Sequence, residues 1–488
     1  MYKREIENLE PKLLWKNFVE ITQVPRPSKK EEKIRKYVKD FASKNNLKFK
    51  EDKIGNICIR VPATSGFEKS KTIVLQGHLD MVCEKNKDKK HDFEKDALQL
   101  IKDDEWVKAD GTTLGADNGI GVAAALAIAL DKEAKHGPIE ILLTIDEETG
   151  LTGVNNISKK LISGNILLNL DSEEDGAFYV GCSGGIDTQG EFEIDFKKCS
   201  KKLTAKNLLI SGLTGGHSGL DIHKGRGNAI KILGLLVNKL FKYDVQIGGL
   251  GGGSKRNAIP REAMAVILFD KKSEKKIKNE ILKFENDLKS VFKTKEEKLK
   301  IDLFPVEKTF KKVFSKKFSK RLINTILALP HGVISMSSDI PDLVETSTNL
   351  ATIVNSNGKI IVGTSQRSSV ESSKVNLAEI IKAVFTLAKA DEISQSDGYP
   401  GWKPNMDSEL LKIAKKVYVE KFNNEPEVKA IHAGLECGIL GGKFENLDMI
   451  SFGPTIEGAH SPHERVNIKT IAKFYELLKA VIEHIAKN

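Results

Sequence analysis

Apolar positions recur along the chain with two different periods. Leu13, Leu14, Phe18, Val19 and Ile21 fall at mixed helical spacing, and the turn Val24-Pro25-Arg26-Pro27-Ser28 stops that run. Residues 31–45 predict a second helix, with Ile34, Tyr37, Val38 and Phe41 on one face. Short apolar runs at 56–61, 72–82, 139–146 and 165–171 predict strands. Between the second and third of these lies an Ala-rich run from Gly119 to Leu130, which predicts a buried helix. Strands alternating with helices imply an α/β layer built on a mostly parallel sheet.

From residue 187 the pattern changes. The runs EFEIDF and LTAKNLLISGL predict alternating strands, and AIKILGLLVNKL predicts a long helix. The segment GGLGGGSK at 248–255 predicts a flexible loop; it is no phosphate-binding loop, because Gly-Lys followed by Ser or Thr is absent. A strand (AMAVILFD), a Lys/Glu-rich helix over 271–292, a second strand pattern (TSTNLATIVNSNGKIIVGTSQRSS) and a helix over 375–390 follow. Strand and helix material then returns, ending in MISFGPTIEGAHSPHERVNI and a helix over 468–486. The chain therefore predicts an α/β fold with a discontinuous first domain, 1–186 plus 398–488, whose mixed, mostly parallel sheet is flanked by helices. An inserted α+β domain, 187–397, interrupts it.

Of 488 residues, 40% are hydrophobic and 30% charged, which suffices for a sizeable core and excludes a disordered chain. The run Gly119–Leu130 is shorter than the ~20 residues needed to cross a bilayer, and MYKREIENLE carries no apolar signal, so neither a membrane nor secretion is expected. Lys+Arg 77 against Asp+Glu 67 gives a net charge of +10, which brings nucleic acid into view. The lysines, however, interleave with glutamates in stretches such as DKKSEKKIKNE and KTKEEKLK, as on solvated helix faces, so no nucleic-acid partner is expected. Cys58, Cys83, Cys182, Cys199 and Cys437 are scattered and odd in number, which suits a reducing cytoplasm rather than a disulfide framework.

Candidate chemistry collects where apolar strands end. His78 and Asp80 in Gly-His-Leu-Asp share a face if the strand continues, and a carboxylate two residues on can fix the tautomer of a ligating imidazole. Asp117 opens the Ala-rich helix, either as an N-cap or as a carboxylate in need of a partner at the end of a buried element. Asp146, Glu147 and Glu148 follow the strand IEILL, at the strand end where open α/β sheets place their ligands. Asp171 follows NILLNL, and His460 follows MISFG, with His463 as its nearest rival. Together these groups suit two divalent ions bridged by one carboxylate. Mixed nitrogen and oxygen donors fit zinc, with cobalt or manganese as substitutes.

The segments GHLDMV, TLGADNGIG, DEETGLTG, NLDSEE, TGGHSG, RNAIP, HAGLECG and GPTIEGAHSPHE resemble the di-zinc dipeptidase/aminoacylase/carboxypeptidase family, and within it the cytosolic aminoacyl-histidine (Xaa-His) dipeptidase branch. The likeness runs over essentially the whole chain. It implies a catalytic domain at 1–186 and 398–488 and a lid and dimerisation domain at 187–397 in a homodimeric cytoplasmic enzyme. It implies that Asp117 bridges two zinc ions, with His78 and Asp171 completing one site and Glu148 and His460 the other. Glu147 would be the general base toward a metal-bridging hydroxide, Asp80 would orient His78, and His217 would donate to the oxyanion. Arg367 would bind the substrate carboxylate with Asn257 in support, and Glu436 would receive the free amine. The implied reaction is hydrolysis of unblocked dipeptides, Xaa-His among them. An aminoacylase-like deacylase of N-acyl amino acids would use the same site, and an inactive metal-dependent peptide-binding protein is the reading from a different class.

Overall fold

A computed structural model describes residues 2–488. The chain divides into two compact units. One comprises the residues up to Gly181 with Pro404–Ala430 and Leu435–Asn488; the other comprises Cys182–Lys403 with Ile431–Gly434. The sequence pattern set the joins at 186/187 and 397/398 and gave no sign that residues 431–434 return to the second unit.

The first unit is organised on an eight-stranded sheet. Its order is Lys48–Glu51, Ile57–Val61, Ile139–Thr144, Ile73–His78, Ile166–Asn169, Asp448–Ser451, Ala177–Cys182 and Glu427–Ile431. Ile73–His78 pairs in parallel with Ile139–Thr144 on one side and Ile166–Asn169 on the other, and Asp448–Ser451 pairs in parallel with Ile166–Asn169. The flanks are antiparallel: Lys48–Glu51 and Ile57–Val61 join by a short turn, which only antiparallel strands allow. The sheet is thus mixed, with its parallel pairs at the centre.

Strands Ile73–His78 and Ile139–Thr144 are buried at every residue, as expected of central strands covered on both faces. Helix Ala116–Ile128 packs on Ile73–His78 and against helix Lys12–Thr22. Its small side chains permit that close approach, and two glycines require it. A Cβ at Gly77 would lie 2.2 Å from Asn118 Oδ1, and one at Gly121 would lie 2.4 Å from the Leu170 carbonyl oxygen.

The second unit holds a nine-stranded antiparallel sheet. Its order is Lys300–Pro305, Leu203–Ser211, Ala263–Asp270, Gln246–Gly252, Val344–Ser356, Lys359–Ser368, Gly184–Glu193 and Glu392–Gln395, with Gly332–Met336 pairing on Val344–Ser356. Its core gathers on the apolar face of helix Ala229–Leu240, with Leu233, Leu236 and Val237 fully or nearly fully buried. Here the sequence expectation fails. The segment 248–255, expected to be a flexible loop, is for the most part strand: Gln246–Gly252 pairs with Ala263–Leu268 inside the sheet. Glycine disfavours a strand locally, but the neighbours need its missing side chain. A Cβ at Gly252 would lie 2.7 Å from that of Ala263, and only Gly253, at φ +68, turns out of the sheet.

Candidate active site

The central parallel strands of the first unit all point their C-terminal ends the same way, and the chemistry sits there. Ile73–His78 ends on His78 itself. Ile139–Thr144 leads into Asp146 and the short helix Glu147–Gly150, and Ile166–Asn169 leads to Asp171. Asp117 lies at the start of helix Ala116–Ile128, and His460, at φ +62, lies in the loop before Arg465–Asn467.

The structure brings all five expected ligands together. His78 Nε2 stands 3.0 Å from Asp117 Oδ1 and 3.3 Å from Asp171 Oδ1. His460 Nε2 stands 3.0 Å from Asp117 Oδ2 and 3.1 Å from Glu148 Oε2. Asp117 therefore turns one oxygen to each of two imidazole–carboxylate pairs. Each of the sets His78/Asp117/Asp171 and Asp117/Glu148/His460 offers three ligand atoms within 4.8 Å of one another. Glu148 Oε1 is buried without a hydrogen-bond partner, an acceptor that fits a cation. Two imidazoles and three carboxylates fit zinc, cobalt or manganese.

The electrostatics describe a cluster in need of positive charge. Burial alone would lower the His78 pKa, but Asp171, Asp117 and Asp80 hold it well above the usual imidazole value. Hydrogen bonds to Asp117 and Glu148 push His460 up to about 11. Burial, then the nearby charges of Asp117 and Glu148, push Asp171 up to about 7 against the pull of His78. Burial opposes ionisation of Asp117, yet His460 and His78 keep its carboxyl below the ordinary range.

Glu147 is half-buried beside this cluster. Burial raises its pKa well above the usual value, opposed by His78 and reinforced by Asp171, Glu436 and Glu148. Asp80 ties the candidate base to a candidate ligand. Its Oδ1 lies 3.4 Å from His78 Nδ1 and accepts the Glu147 N–H at 3.0 Å, while Oδ2 accepts the Glu148 N–H at 3.2 Å and the Ser28 hydroxyl at 2.7 Å. The neighbouring acids Glu31 and Asp146 are spoken for: Glu31 accepts backbone N–H groups of Lys29 and Asp146, and Asp146 accepts the hydroxyls of Thr149 and Thr152.

Glu436, expected to meet a substrate amine, is fully buried, and its Oε1 has no hydrogen-bond partner. Its Oε2 accepts from Gln76 Nε2 at 2.6 Å and Thr144 Oγ1 at 2.7 Å, and burial pushes its pKa up to about 7. From Gln76 a buried polar chain crosses the strand ends: Asn169 donates to Gln76, Ser451 donates to Asn169, and Ser172 meets Ser451 at 2.7 Å. Gln76, Thr144 and Asn169 escaped the sequence reading, because polar residues inside apolar strands carry no periodic signal.

His217, Asn257 and Arg367 belong to the second unit. The backbone N–H groups of Gly219 and Leu220 donate to His217 Nδ1 at 3.2 and 3.1 Å. Nδ1 is thus an acceptor, and in the neutral ring the proton sits on Nε2. Burial, and then Arg367, lower the His217 pKa and favour that neutral form. Arg367 is buried on strand Lys359–Ser368 and donates Nη1 to the Tyr399 hydroxyl at 2.9 Å, while its Nε has no partner. Asn257 is exposed, and its carbonyl accepts the Ser218 N–H at 2.8 Å. Asn349, overlooked in the sequence, is buried and donates Nδ2 to the carbonyls of Arg256 and Ala258, which pins the loop bearing Asn257.

Comparison with known proteins agrees with this arrangement. The chain is 39% identical over 484 residues to the cytosol non-specific dipeptidase of Escherichia coli, covering 99% of each chain. It is similar in structure to the aminoacylhistidine dipeptidase of Vibrio alginolyticus, at 41% identity and a TM-score of 0.90, covering 98% of each chain. A tripeptidase from Staphylococcus aureus, at 17% identity and a TM-score of 0.57, shares the fold over 98% of this chain and 100% of its own. Residues 74–484 match the description of peptidase family M20/M25/M40, and the chain belongs to that family.

Proposed function

We propose that this protein hydrolyses the peptide bond of unblocked dipeptides, Xaa-His among them, with two divalent ions, zinc in the first instance, held by His78, Asp117, Asp171, Glu148 and His460. The observation that carries the reading is the division of Asp117, one oxygen toward His78 and Asp171 and the other toward His460 and Glu148. The names of the two dipeptidases that resemble the chain along its length support the substrate class.

Bound there, divalent ions supply Lewis acidity, which acidifies water and polarises the scissile carbonyl. Glu147 takes the proton of the attacking water and returns it to the leaving amine. Its raised pKa suits the task, since the carboxylate is then a stronger base and the carboxyl it becomes keeps the captured proton until the amine leaves. The Asp80 carbonyl, 3.2 Å from His78 Nδ1, together with the Asp80 carboxylate at 3.4 Å, keeps His78 in the tautomer whose Nε2 faces the centre. Glu436, whose Oε1 is unpartnered, has the role of receiving the free amine, and its own charge helps raise the Glu147 pKa.

From the second unit, Arg367 has the role of binding the substrate carboxylate, with Asn257 in support. A guanidinium with an unused donor suits a planar anion. His217, with its proton on Nε2, has the role of oxyanion donor. The enzyme is cytoplasmic and homodimeric in this reading, and its second unit serves as lid and dimerisation domain.

The test is a substrate panel on purified protein after chelation and zinc add-back. Free dipeptides should be cleaved and their N-acetylated forms spared. Cleavage of N-acyl amino acids alone would make the protein a deacylase, and metal binding without turnover on any member of the panel would make it a binding protein.

A further inference from the structure

Glu464 lies four residues beyond His460 and is buried. Its carboxylate accepts four consecutive backbone N–H groups. Oε2 takes those of Leu114 at 2.7 Å and Gly115 at 2.9 Å, and Oε1 takes those of Ala116 at 2.7 Å and Asp117 at 3.3 Å. These amides precede a kink at Asp117 and Asn118, where the backbone leaves helical geometry before the apolar helix runs on to Ile128. The same loop is held from its carbonyl side by Arg26. That guanidinium is buried and donates to the carbonyls of Leu79 at 3.0 Å, Asp80 at 2.8 Å and Gly115. The loop leaves no room for adjustment: a Cβ at Gly115, φ +65, would lie 2.4 Å from Arg26 Nη2.

We propose that Glu464, backed by Arg26, is a positioning residue that fixes the Asp117 loop against the His460 segment, so that Asp117, Glu148 and His460 close around one cation. The inference rests on the proposed di-metal reading and deepens it. Neither residue touches a metal ligand atom. Each acts through the backbone that carries a ligand, as supporting groups around a metal commonly do. The consequence is asymmetric. His78 and Asp171 sit on or just beyond two strands of the parallel sheet, so the ion they face loses only the hold of Asp117, which both sets share. His460 is placed by a loop, and that loop is the one Glu464 ties down.

The test is titration of metal-free protein with cobalt(II), followed by visible absorption, on unmodified protein and on Glu464→Gln, Glu464→Ala and the exposed control Glu457→Gln. Unmodified protein and the control should bind two ions per chain. Glu464→Gln should bind one with the smaller change and the second ~10–100-fold more weakly. Two ions bound at unmodified affinity by either Glu464 variant would overturn the inference, as would equal weakening of both ions together with a fall in melting temperature. If unmodified protein binds fewer than two ions, the di-metal reading itself is at fault. Hydrogen exchange on unmodified metal-free protein gives an answer that no variant is needed for. The amides of residues 114–117 should be slow, and exchange at the rate of an open loop would overturn the proposal.

Discussion

Asp80 meets the ring of His78 from behind, 3.4 Å from Nδ1, and with the same oxygen accepts the backbone N–H of Glu147 at 3.0 Å. One carboxylate thus sets the direction of a candidate ligand and the position of the candidate base. Asp80→Ala should weaken metal binding ~10–100-fold and lower kcat at saturating metal as well, because both groups lose their reference point. Asp80→Asn keeps an oxygen for the Glu147 N–H and should recover part of kcat. Isothermal titration with zinc beside steady-state kinetics checks both.

Glu147→Gln should lower kcat by ~10²–10⁴ while zinc content and KM stay close to those of the unmodified protein. The glutamine keeps the shape of the side chain and removes only the proton acceptor. A variant with full turnover would exclude Glu147 as the base.

Metal-free protein should lose stability as pH rises. Asp171 has a folded pKa pushed up to about 7 from an ordinary 3.8, so the unfolded chain ionises first and stability falls across that interval. His460 is raised from 6.5 to about 11, so its contribution is complete below pH 6.5 and drains away as pH climbs toward 11. Both act in the same direction. The melting temperature of metal-free protein should fall from pH 5 to pH 9, and zinc should flatten the slope by replacing the protons. A metal-free melting temperature that rises over this range would contradict the picture of the cluster.

The second unit offers a separate pair of tests. His217→Ala should lower kcat by ~10²–10³ with a smaller effect on KM, as removal of an oxyanion donor does. Arg367→Lys should act chiefly on KM for substrates with a free carboxylate, since an ammonium cannot make the paired contact of a guanidinium. Amidated dipeptides should lose the difference between Arg367→Lys and unmodified protein.

Much of the first unit was legible because its strands are buried on both faces and its ligands stand at strand ends. His78, Glu148 and Asp171 interrupt apolar runs at the positions where a parallel sheet exposes its C-terminal edge. Asp117 stood out by opening a helix with almost no polar residue. Arg26 and Glu464 were hidden, because their partners are backbone groups: Glu464 reaches amides about 350 positions away, and nothing in local pattern announces such a pairing. Arg26 read as part of a proline turn for the same reason. The strand Gln246–Gly252 was missed because glycine's local preference for loops yields to pairing with Ala263–Leu268, a tertiary effect that composition does not carry. Residues 431–434 join the second unit through Ser183, whose N–H reaches the carbonyls of Ile431 and Ala433, again a contact between distant backbone groups.

Crystals of the zinc-loaded protein, with data collected on both sides of the zinc absorption edge, place the metals directly. Two anomalous peaks should flank Asp117, one ~2.0–2.1 Å from His78 Nε2 and the other at that distance from His460 Nε2, each beside a different oxygen of Asp117. A single peak, or two peaks that share no Asp117 oxygen pair between them, would contradict the bridging role on which the proposed chemistry depends.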